Sequence, residues 1–197
     1  MAVTSTHAAS PVDICSRALI LIGAEPITSF ESSSTEALVA SNMYEDVVRS
    51  SLCVARWRFA TEQAVLNQLT DTPTGRFDIA HQLPSNLLML HAVTINDNKI
   101  IYTVYGDKIF SDSTTNDTLI ADYTYRAPET DFPSYFALAV QYALASVFAT
   151  SIARDDKLME MMEVKAERLM AKARNLDSQQ QTSRGLTTTR FRTNRLS

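Results

Sequence analysis

Apolar residues recur along this chain with two different periods, and the change of period divides it. From Ser10 the spacing is helical: Ile14, Ala18, Leu21 and Ile22 form one stripe. Ser10 can cap this segment, Pro11 suits its first turn and Asp13 complements the helix dipole. Gly23 is a C′ stop and Pro26 forbids continuation, so a helix is predicted over 10–23. Ser34 opens a second helix over 35–56, with Leu38, Met43, Val47, Val48 and Leu52 as its seam. Trp57, the only Trp of the chain, reads as a core anchor at the end of that helix, followed by Arg58-Phe59-Ala60. A third helix over 133–153 starts at Asp131-Phe132-Pro133-Ser134. Phe136, Val140, Leu144, Val147 and Phe148 give it bulk, and small residues such as Ala137, Ala139, Ala143 and Ala145 let another helix come close. Asp155-Asp156 caps a fourth over 155–176, with Leu158, Met162, Leu169, Ala173 and Leu176 as its seam. The connection between the last two is very short, which predicts an antiparallel helical hairpin.

The middle of the chain follows a different rule. After a turn-rich loop over 70–76 and a break at Leu83-Pro84-Ser85-Asn86, short β-rich runs cover 88–95, 99–104, 108–110 and 118–125. Asn96-Asp97-Asn98 and Tyr105-Gly106-Asp107 read as hairpin turns. A small antiparallel sheet of three or four strands is predicted within 86–126. The fold class is therefore α+β: an antiparallel bundle of about four helices with a small antiparallel sheet or hairpin insertion. A body over 10–176 carries a flexible arm over 1–9 and an extended basic tail over 177–197.

Composition changes this picture little, and charge changes it more. With 45% hydrophobic and 20% charged residues the chain is ordinary for a globular domain. No apolar run approaches the roughly 20 residues of a membrane span, the longest candidate being 18–22, and no signal peptide is evident. Cys15 and Cys53 read as buried free thiols. The formal net charge of −4 is uneven: all 22 acids and 14 of the 18 basic residues lie in 1–183, so the body is near −8. The four arginines of 184–197 make the tail +4. An acidic body argues against ordinary duplex binding, where phosphate neutralisation dominates affinity. In the tail, Leu186, Phe191 and Leu196 sit between Arg184, Arg190, Arg192 and Arg195, a pattern suited to a segment that orders on a partner.

Catalytic chemistry is hard to write. Four Gly allow neither a phosphate loop nor a dinucleotide fingerprint. His81 and His91 read as core or surface histidines, and two Cys with three scattered His do not make a metal site. Glu45-Asp46, Asp155-Asp156 and Glu160/Glu163 read as helix faces or caps. The expectation is a non-enzymatic protein with no cofactor and no metal.

Several local motifs then come in a familiar order: Ile20-Leu21-Ile22-Gly23-Ala24-Glu25-Pro26-Ile27 closing the first helix, Arg56-Trp57-Arg58-Phe59-Ala60 after the second, Leu83-Pro84-Ser85-Asn86-Leu87-Leu88 entering the β-rich part, and Phe132-Pro133-Ser134-Tyr135 opening the helical hairpin. Over about 10–175 the chain resembles the tail tubular protein A family, the head-to-tail adaptors of tailed bacteriophages. The marker residues are Gly23, Pro26, Trp57, Phe59, Pro84 and Pro133. The resemblance implies a ring, twelve copies in the family, seated beneath the portal in the virion neck and assembled in the host cytoplasm. It implies a portal protein above, a tail nozzle or tube below, and double-stranded DNA passing through the lumen without specific binding. An acidic conduit fits that passage, since it repels phosphate. The tail residues Arg184, Leu186, Arg190, Phe191, Arg192, Arg195 and Leu196 are the candidates for portal contact. The alternative is a cytosolic helical module whose basic tail touches nucleic acid or an acidic protein.

Overall fold

The computed structural model describes residues 10–70 and 77–180. Helix α1 (Pro11–Leu21) starts where Ser10 Oγ accepts from the Asp13 amide at 3.1 Å. It closes where the Ala24 N–H donates to Leu19 O and the Gly23 N–H to Ile20 O. Gly23 sits at φ +76°, the left-handed geometry that this closure requires. Helix α2 (Thr35–Cys53) is capped by Ser34, whose hydroxyl accepts from the Ala37 amide at 3.1 Å. Helix α3 (Ser134–Phe148) follows Pro133, whose carbonyl accepts from the Phe136 and Ala137 amides. It runs on into a π-helical turn over Ala149–Ala153 and stops at Arg154, at φ 54°. Asp155 Oδ1 then accepts from the Lys157 and Leu158 amides and opens α4 (Asp156–Ser178). Helix α4 returns along α3, so that Tyr135 in the first turn of α3 donates to Asp177 in the last turn of α4 at 2.9 Å.

One core joins the helices. Ile14, Ala18 and Leu19 of α1, Ala40, Val48 and Leu52 of α2, and Phe136, Val140, Leu144 and Phe148 of α3 are fully buried in it. Central α3 touches α1, α2 and α4. The segment Ser134–Ala153 is, by length and composition, apolar enough to cross a membrane, and half of it is buried in the fold. This corrects the expectation that no run approaches that length. Its small Ala, Ser and Thr side chains dilute the apolar signal without adding a charge.

The seams differ from the predicted ones at particular residues. Leu38 and Leu176 are exposed. The α2 stripe runs through Ala37, Ala40, Tyr44, Val48, Ser51 and Leu52 instead. The α4 stripe runs through Met162, Ala166, Ala173 and Asp177. The smaller side chains win because α3 lies close, and a Leu at those positions would hold the helices apart.

Two four-stranded antiparallel sheets replace the predicted single sheet. The strands are β1 (Thr61–Val65), β2 (Asn67–Gln68), β3 (Ile79–Gln82), β4 (Leu87–Ile95), β5 (Asn98–Lys99), β6 (Tyr102–Tyr105), β7 (Lys108–Ser111) and β8 (Ile120–Tyr125). Their orders are β1-β8-β4-β5 and β2-β3-β7-β6. Three strands precede residue 86, outside the predicted β-section. β1 and β2 are polar and exposed, so only pairing, Thr61 opposite Thr124 through Val65 opposite Ile120 for β1, makes them strands. The predicted strand over 99–104 is split. Ile100 N–H donates to Val93 O at 3.2 Å in the first sheet, and the chain then crosses into the second at Tyr102. Leu66, Leu83, Val93, Ile109, Leu119, Ala121 and Tyr123, from both sheets, form a second, smaller core. The Asn96-Asp97 turn takes positive φ at both residues (49° and 64°), as a tight two-residue hairpin demands.

Candidate functional site

Where α2 ends, the chain does not run straight into the sheet. It turns through the buried Trp57 and a short 3₁₀ turn, Arg58–Ala60, before β1 begins. Trp57 Nε1 donates to Ser51 O at 3.0 Å, and its ring meets Phe136 edge-on at 5.0 Å. Phe59 lies 4.9 Å from Phe136 and 5.9 Å from Phe132, so the aromatic markers of both halves of the chain form one cluster. Such pairs add about 1 kcal/mol each beyond burial.

The last turn of α4 is tied to this corner. The Asp177 carboxylate, 4% exposed as a residue, accepts from the Arg58 amide at 3.1 Å and from the Tyr135 hydroxyl at 2.9 Å. Arg58 Nε donates to the Asp177 carbonyl at 3.1 Å. Burial and the bond to Asp177 push the Tyr135 hydroxyl up to about 12, so it stays a donor at physiological pH. Beside this tie opens a cleft of about 700 Å³, lined among others by Arg56, Arg58, Thr61, Arg174, Asp177 and Ser178. Arg56 reaches Asp122 at 3.3 Å and keeps half its side chain exposed. Next to that pair, the His91 Nε2 and Thr124 Oγ1 atoms are 2.7 Å apart. Burial, then the Arg56 charge, holds His91 below its ordinary pKa against the opposing pull of Asp122.

A second feature is the open edge of the second sheet. The run Ile100-Ile101-Tyr102-Thr103-Val104-Tyr105 has no charge, Pro or Gly. Among the described residues its strand β6 pairs on one side only, with β7. Ile101 is 90% exposed and Tyr105 61%, with Val104 also outward. Edge strands are normally protected by charge, bulge or Pro, and this one has none of them. A third feature joins α2 to the segment after β8. Arg126 donates to both Glu45 oxygens at 3.1–3.2 Å and also to Glu129, while the Tyr44 hydroxyl donates to Glu129 at 2.9 Å. Burial alone would raise the Glu45 pKa, but hydrogen bonds from Arg126 and Arg49 hold it below the usual carboxylate range.

None of these places gathers a nucleophile, a base and an oxyanion donor. His81 is 2% exposed in β3, with its Nδ1 unpartnered among the described residues and its pKa lowered by burial. Burial pushes the Cys15 thiol up to about 12, which makes it a weak nucleophile. Among the described residues no three His, Cys, Asp or Glu are grouped to hold a metal ion.

The tail candidates Arg184, Leu186, Arg190, Phe191, Arg192, Arg195 and Leu196 lie outside the described residues. Of the marker residues, Gly23 and Pro26 form the turn after α1, Pro84 stands between β3 and β4, and Pro133 precedes α3. Trp57 and Phe59 come together with the start of α3. Sequence reasoning missed the arginine cleft and the role of Asp177, which it assigned to the start of the tail. The spacing of four from Ala173 is the signal that places Asp177 on the buried stripe. Comparison with protein-family models and with curated proteins returns no match.

Proposed function

We propose that this chain is a structural assembly protein, a head-to-tail adaptor that forms a ring beneath a viral portal and joins it to the tail. The reading takes the four helices as an antiparallel bundle that forms the wall of the ring, with the two sheets as an insertion and the basic tail as an extended arm. The observation that supports it best is the uncharged, open β6 edge, with Val104 and Tyr105 outward and Ile101 exposed just before it. Such an edge is costly for a solitary protein and useful for one that is covered on assembly. The division of charge supports the same reading: an acidic body past which a duplex slides, and a +4 tail with apolar residues for gripping a portal.

Deletion of 184–197 is expected to weaken binding of the chain to portal rings by at least about tenfold, leaving its melting temperature unchanged. Negative-stain images of chain and portal together should show rings on the portal. A chain that stays monomeric with portal present, and whose tail binds duplex DNA in a salt-dependent way, would instead be a nucleic-acid-binding module.

A further inference from the structure

We propose that the arginine cleft beside the end of α2 receives the acidic far rim of the β-section of a second copy of this chain. This rests on the assembly reading above and names one of its contacts.

The cleft concentrates positive charge on a body that is otherwise acidic. Arg56, Arg58 and Arg174 line it, Asp177 is the one carboxylate in the lining, and Asp122 pairs with Arg56 from beside it. Asp177 is already committed to the Arg58 amide and Tyr135, and Arg58 bonds the Asp177 carbonyl. Arg174 stands exposed on α4, and Arg56 keeps half of its side chain in solvent. Arg58 and Arg56 are therefore held in place, and no described residue fills the opening beside them. Planar, weakly hydrated guanidinium groups suit paired contacts to carboxylates.

The complementary surface lies at the other end of the first sheet. Thr61 of β1 opposes Thr124 of β8 beside the helices, whereas Val65 opposes Ile120, and Ile120 opposes Thr94, at the far end. That end carries the Asn96-Asp97 turn and the connection holding Asp112 and Asp117. Asp97 and Asp112 are exposed. Asp117 is fixed by accepting from the Thr114 amide and hydroxyl, both at 2.8 Å. Lys99 is the cation nearest in sequence to the turn. Cleft and rim are separated by the length of β8, roughly 17 Å. One copy cannot bring them together, but two neighbouring copies can. A contact between two different patches is heterologous, the kind that closes a ring when its rotation allows.

The test uses the full-length chain in a Cys53→Ser background, the buried Cys15 being unreactive. One copy carries Arg174→Cys and another Asp112→Cys, and the two are mixed under mild oxidation. The mixed disulfide is expected to form at least about tenfold faster than either variant links to itself. Arg56→Glu in the first copy should slow it about tenfold, and Asp97→Lys in the second should restore it. Equal mixed and self-linking rates would overturn the contact. So would a labelled 20-base-pair duplex that binds the unmodified chain and is lost with Arg174→Glu, because the cleft would then be a phosphate site. If rings on portal form as well with Arg174→Glu as without it, this contact falls and the assembly reading stands. If the unmodified chain forms no rings with portal, the assembly reading itself falls.

Discussion

At the scale of single residues, His81 shows how burial decides chemistry. Its ring is enclosed in β3 and its pKa lies below the ordinary 6.5, because the protonated form would lose its hydration. The unfolded chain therefore binds a proton that the folded chain refuses. Stability is full above about pH 6.5 and declines as pH falls toward the lowered folded value. His81→Leu should flatten that part of a plot of chemical-denaturation stability against pH between 5 and 7, and an unchanged slope would show that His81 is not its source. Asp177 teaches the opposite lesson. The residues that follow it are polar and it is the last acid of the chain, so it reads as the beginning of a tail. Only the packing of α4 on α3 shows that it ties Arg58 and Tyr135 together.

At the scale of elements, local chemistry was legible where it acts within one turn. The Ser10, Ser34 and Asp155 caps follow from side-chain oxygens that accept from amides two or three residues on, and the Gly23 closure from backbone N–H groups that reach carbonyls three to five residues back. Gly23→Ala should cost about 1 kcal/mol in unfolding experiments, because a Cβ strains the backbone at φ +76°. Beyond the two adjacent residues, no described atom would lie within 4 Å of an added methyl group, so steric overlap adds nothing, and a loss above about 3 kcal/mol would contradict this account. The strands were less legible. β1 has no apolar alternation to announce it, and the predicted strand over 99–104 is divided between β5 of one sheet and β6 of the other. Such choices depend on partners distant in sequence, β8 for β1 and β3 for the hairpin of β6 and β7, and no local window contains them.

At the scale of the whole molecule, the open β6 edge should govern association. Val104→Lys places a charge on that edge, which discourages strand addition. It should reduce concentration-dependent assembly in sedimentation experiments and leave the melting temperature within about 2 °C. Unaltered assembly would remove the edge from the interface. The sequence by itself determined the four helices, their caps, the β-rich character of the middle and the opposition of charge between body and tail. These arise from near-neighbour spacing and from composition, which need no fold to be read. The tertiary structure alone decided the two-sheet arrangement, the small-residue seams that bring α3 close to its neighbours, the aromatic cluster joining Trp57 and Phe59 to Phe132 and Phe136, and the arginine cleft. Each of these brings together side chains far apart in the chain, and only the closed core sets their distances.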